Sequence, residues 1–212
     1  MRIVQAFRRA ASAFSASLGG VYEDHVNYHI RGDVFFVLRN TRTGEEERRE
    51  LHNIVVQDAS ILIARLMKDN QEPPQGAYVL AVGTGDSGWD PMAPPAATDT
   101  QRSLYAELTR KTFATTQFVN SSGVPVAYPT RIVDFTTTLT ESEAVGPLVE
   151  MGLLGGNISS NMSTKNPVTP PNGLYDDTVD LTQYETQINY LTFAVINKPA
   201  TSTLTITWRL TF

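Results

Sequence analysis

The sequence predicts a mainly β fold, an antiparallel β-sandwich of the jelly-roll kind, carrying two short helices and an N-terminal helical arm. Three observations lead there. Leu204, Ile206, Trp208, Leu210 and Phe212 alternate without a break with Thr203, Thr205, Thr207, Arg209 and Thr211, a period of two that puts apolar side chains on one face and threonines on the other. The composition is 41% hydrophobic and only 18% charged, with Thr, Asn, Ser, Gly and Pro making up the difference, the balance of a strand-and-loop chain. Short apolar or threonine-rich runs at 77–82, 111–120, 131–140 and 147–154 are separated by Gly- and Pro-rich loops, which punctuate strands.

Length and charge bound the rest. The 212 residues suit one main domain over 21–212 plus an arm over 1–20. There is no cysteine, which removes disulfides, thiolate nucleophiles and Cys-ligated zinc and fits cytoplasmic synthesis. The net charge of −5 argues against a nucleic-acid partner, because no basic excess is present to release phosphate counterions. No apolar run reaches the roughly 20 residues of a membrane span. The charge is uneven. Residues 1–20 carry Arg2, Arg8 and Arg9 and no acid, whereas the remainder holds 14 Lys and Arg against 22 Asp and Glu; arm and body attract opposite partners.

In chain order, Val4, Phe7, Ala11, Phe14 and Leu18 fall at spacings of three and four, a helical seam closed by Gly19 and Gly20. Its own domain, a neighbouring subunit and a membrane surface could each receive that seam. The arginines and serines interrupt the apolar core that a signal peptide needs, and the many Ala and Ser positions favour close protein contact. Val4, Phe7, Phe14 and Leu18, with Arg2, Arg8 and Arg9, are the predicted docking residues. Residues 33–56 read as a hairpin turning through Thr41–Gly44. Asp58 should cap a helix with Ala59, Leu62, Ile63, Leu66 and Met67 on one stripe. A strand at 77–82 leads into the loop GTGDSGWDPMAPPAA, and Thr98 with Gln101 resembles a capping box for a second helix, Asp99–Lys111. Threonine-rich strands follow, the second carrying Val133, Phe135, Thr137 and Leu139 on one face. Pro147–Leu154 is a further strand. The polar stretch 157–185 is long for a loop in a compact domain; its Tyr175 and Tyr184 are candidates for receptor or subunit contact. Gln187–Ile196 and Leu204–Phe212 should pair as a closing hairpin.

Candidate chemical sites are few. Gly83, Thr84, Gly85 and Gly88 lack the lysine and the following helix of a phosphate loop. Asp86, Ser87 and Asp90 offer oxygen ligands, but not at EF-hand spacing. His25 and His29 have no evident third metal ligand, and His52 stands alone. The acids Asp134, Glu141, Glu143 and Glu150 form no motif, and GxSxG is absent. No catalytic residue, cofactor or metal is predicted.

Three stretches carry a family resemblance: VGTGDSGWDPMAPPAATDTQRSLYAELTRK, RIVDFTTTLTESEAVGPLVEMGLLGG and YLTFAVINKPATSTLTITWRLTF. In order and spacing, over residues 77–212, they resemble virion structural proteins of tailed bacteriophages of the tail-fibre, baseplate or decoration type. The resemblance implies a non-enzymatic particle component, assembled in the host cytoplasm and held by contacts with other virion proteins and with copies of itself in a symmetric array. Tail, baseplate or fibre association is the first expectation; a capsid decoration protein or a receptor- or glycan-binding tail module is the alternative. DSGWD and the insertion between Leu154 and Gln187 lie outside the pattern, so no ligand site is carried over.

Overall fold

Val34 and Phe36 face inward on Arg31–Asn40 (β1), which turns back at Asn40–Glu45 into Glu46–Val55 (β2). The register runs from Gly32 opposite Asn53 to Arg39 opposite Glu46. The turn is held by the Asn40 side chain, whose Oδ1 accepts from the Arg42 and Thr43 amides at 2.9 and 3.1 Å. The computed structural model describes residues 30–68, 76–156 and 185–212. After β2 come the helix Gln57–Lys68 (α1) and the strands Ala77–Gly83 (β3), Glu107–Thr112 (β4), Thr115–Phe118 (β5), Ile132–Leu139 (β6), Gly146–Gly156 (β7), Glu185–Lys198 (β8) and Ser202–Thr211 (β9).

All nine strands among the described residues join one antiparallel sheet in the order β4-β3-β7-β8-β2-β1-β9-β6-β5, curled into a half-barrel. The mainly β, antiparallel expectation holds. In place of two separate sheets there is one, because β2 serves both halves: along its length it pairs with β1, and its last residues, Ile54 and Val55, pair with Tyr190 and Asn189 of β8. Curling brings the halves together over a shared core of Val34, Phe36, Leu80, Met151, Ile206 and Trp208. The Phe36 and Phe193 rings, one from each half, lie 5.4 Å apart.

At the opposite corner a single run of chain supplies both margins. β4 pairs with β3, then after Phe113 and Ala114 β5 pairs with β6. The Thr137 hydroxyl donates to the Thr112 carbonyl at 3.0 Å and the Lys111 ammonium to the Thr138 carbonyl at 2.9 Å, drawing β4 against β6.

Two expectations are corrected. Asp99–Lys111 is not a helix: the stretch is irregular up to Ala106 and then enters β4. Thr98 does start a turn, accepting from the Gln101 amide at 3.2 Å. However, Leu104 buries in a cluster on the outer face of the sheet while Leu108 packs toward the main core, and one helical face cannot serve both. Tertiary packing overrides the local signal. The described residues therefore contain one helix, α1. Second, β8 and β9 do not pair. β9 lies between β1 and β6, and β8 between β7 and β2, so the 199–201 turn crosses between halves. Lys198 anchors the crossing; its buried ammonium donates to the carbonyls of Thr140 at 2.7 Å and Glu141 at 3.3 Å, and burial holds its pKa below the ordinary lysine value.

The alternation in β9 is realised: Leu204, Ile206, Trp208 and Leu210 are buried, while Phe212 remains 42% exposed. Its threonines are half-buried and pair with those of β6, Thr205 with Thr138 and Thr207 with Thr136, each at 3.0 Å between hydroxyls.

Candidate functional site

The feature best suited to binding lies at the end of the half-barrel where β1, β3, β6 and β8 begin and β2 and β9 finish. There Val55, Leu62, Leu66, Phe135, Ile188 and Phe212 line an apolar groove of about 230 Å³. α1 forms one wall. The predicted stripe of α1 is only partly covered: Ala59 and Leu62 are buried, but Ile63 is 37%, Leu66 41% and Met67 83% exposed. The apolar face is thus wider than the sheet end that receives it, and it continues to Phe212 across the groove. Asp58 sits in the first turn, where its charge suits the helix dipole, 3.6 Å from Arg102.

A second feature covers the outer face of β3, β7 and β8. Val79 and Ala81 point outward from β3 under the loop 84–106 while Leu80 and Val82 point inward, which explains the unbroken apolar run in this strand: both faces are buried. Glu150, fully buried in β7, organises the loop. Its Oε1 accepts from the amides of Gly85 at 3.2 Å and Ala106 at 2.8 Å, and its Oε2 from the Tyr105 amide at 2.9 Å and the Tyr190 hydroxyl at 2.7 Å. Burial, reinforced by the Glu150 charge, pushes the Tyr190 phenol well above its ordinary pKa. Gly85 has φ +67°, and a Cβ there would meet the Trp89 ring at 2.5 Å. Trp89 folds back onto this spot, edge to face with Tyr105 at 4.7 Å between centroids. Together with Tyr190 and Gln101 they border a hollow of about 130 Å³. In the sequence Glu150 is one acid among several. Its signal was isolation: one carboxylate in the otherwise apolar run Pro147–Leu154, which burial demands be satisfied.

The glycine-rich stretch behaves as a structural corner. The Thr84 amide donates to the Ala106 carbonyl and the Gly85 amide to Glu150, so both point inward. Asp86 and Asp90 cap their own turns through the amides of Gly88 and Met92, at 2.8 and 2.9 Å. Among the described residues no three His, Asp or Glu side chains group as metal ligands, and no helix is long and apolar enough to cross a membrane. The remaining acids that the sequence singles out are each engaged. Asp134 holds Arg209 through two bonds of 2.7 and 2.8 Å, which raises the Arg209 pKa. Glu141 accepts from the Thr41 hydroxyl. Burial would raise Glu143, but the Lys111 ammonium at 2.6 Å and the Thr140 amide outweigh it and hold its pKa low. His52 meets Asp33 at 2.6 Å.

The predicted docking residues Arg2, Val4, Phe7, Arg8, Arg9, Phe14 and Leu18, the candidates Tyr175 and Tyr184, and the His25 and His29 pair lie outside the described residues. No family model, no curated protein sequence and no solved structure matches this chain.

Proposed function

We propose that this chain is a non-enzymatic structural component of a tailed-phage particle, associated with the tail, baseplate or fibre and anchored by contacts with other virion proteins and with copies of itself. The reading rests on the family resemblance of residues 77–212. The observation that carries its assembly aspect is the apolar end of the half-barrel that the described residues leave uncovered, where Ile63, Leu66, Met67 and Phe212 stay exposed around a groove. A contiguous exposed apolar patch of this kind is typical of an interaction site. In the same reading the two facing halves of the sheet are a variant of the jelly-roll-like sandwich, and residues 1–20 supply the attachment to an adjoining virion protein. The hollow beside Trp89 and Tyr105 favours one alternative, a receptor- or glycan-binding tail module, since Tyr105 stays 48% exposed at its border.

Deleting residues 1–20 is expected to leave a folded domain, by circular dichroism and thermal melt, that no longer enters particles. Full occupancy of the truncated protein in purified particles would remove the attachment role. Absence of the intact protein from purified particles, by mass spectrometry, would remove the virion reading altogether.

A further inference from the structure

Three undescribed segments meet the described fold at the grooved end of the half-barrel: residues 1–29 ahead of Ile30, 69–75 between α1 and β3, and 157–184 between β7 and β8. Ile30, and Gly76 and Ala77, themselves line the groove. The segments differ sharply in what they could place there. Residues 69–75, DNQEPPQ, contain no aliphatic or aromatic side chain beyond proline. Residues 157–184 carry scattered apolar residues, no more than two in succession at helical spacings, among three acids, three prolines and four asparagines. Residues 4–18 alone bring a continuous apolar seam, Val4, Phe7, Ala11, Phe14 and Leu18, with two aromatic rings.

We infer that, in the free chain, residues 4–18 seat their apolar seam in the chain's own groove against Leu62, Leu66 and Phe212. The dimensions agree. As a helix the seam is about 22 Å long. The tether from Gly19 to His29 reaches up to about 36–40 Å when extended, enough for the seam to fold back over the rim from which it leaves. The groove's 230 Å³ exceeds the roughly 150 Å³ that accommodates a benzene ring in an apolar protein cavity, so it can take a phenylalanine. A short tether holds the seam at an effective concentration in the millimolar range, far above that of a second copy in dilute solution, which selects the chain's own arm over a neighbour's. The arm's excess of arginine also complements the acidic body.

The inference concerns the unassembled chain and stands apart from the virion reading. Because the chain has no cysteine, Phe14→Cys with Leu66→Cys in one molecule gives an unambiguous cross-link; Leu66 is 41% exposed, so its replacement does not open the core. In dilute solution under mild oxidation, or with a short bis-maleimide, the expected product is a bridged monomer. Bridging only between chains, growing with concentration, would assign the groove to a second copy and overturn the inference; no bridging under either condition would overturn it as well. Native side chains give an independent readout. Trypsin should cut after Arg8 and Arg9 about tenfold faster in Leu66→Asp, and in Phe7→Asp, than in the unaltered chain, as expected when a docked segment is released. Equal rates in all three proteins count against docking.

Discussion

Glu150 illustrates how one buried charge can determine a local structure. A carboxylate removed from water is tolerated when its lone pairs are filled, and here four donors fill them, three of them amides of the covering loop. The loop therefore owes its path to a side chain on another strand. Tyr190 contributes a pH dependence. Its folded pKa is raised by burial and by the Glu150 charge, so the folded state favours the neutral phenol. That contribution is fully present below the unfolded tyrosine value of about 10 and is lost as pH rises above it, by up to about 1.4 kcal/mol per pH unit. Tyr190→Phe is expected to flatten the fall in stability between pH 9 and 11, measured by urea denaturation. Parallel curves for the two proteins would mean that the phenol is not shielded.

At the scale of elements, α1 divides its own apolar stripe. Leu62 is 5% exposed and belongs to the core, whereas Met67 is 83% exposed. Leu62→Ala should cost about 2–5 kcal/mol through the cavity it leaves, while Met67→Ser should change stability by no more than about 0.5 kcal/mol, both read from chemical denaturation midpoints. A Met67 effect as large as that of Leu62 would show that Met67, which does not line the groove, is packed in solution. The stripe itself was legible in the sequence, because 3.6-residue periodicity survives whatever covers it. Which half of it the sheet would reach was not, since that depends on where β2 and β8 meet.

The same distinction runs through the whole molecule. The β1–β2 hairpin and the strands β3, β6, β7 and β9 could be read because their signals are local: alternation, a short turn, an apolar run. The partners of β8 and β9 could not, because a short connection suggests a hairpin and only the buried faces reveal that Phe193 and Trp208 belong to opposite halves of one core. Asp99–Lys111 carries a helical signal yet is no helix for a related reason, its leucines serving two clusters at once. Nor could the groove be read, being assembled from strand ends far apart in sequence. A sheet in which the first described strand pairs with the last closes large loops before its contacts form. Refolding is therefore expected in the millisecond-to-second range typical of non-local β topologies, followed by Trp fluorescence after dilution from urea. Completion within microseconds would be incompatible with this strand order.

The corner at Phe113 and Ala114 bears on whether another strand can be added to this sheet. An open sheet ordinarily offers two bare margins, each a template on which another chain can add a strand. Here both margins belong to one short stretch of chain, β4 and β5, and the Thr112–Thr137 and Lys111–Thr138 bonds draw them to the same corner. The two margins thus lie together instead of on opposite sides of the sheet. A strand offered by another chain at either margin would therefore meet this one corner first.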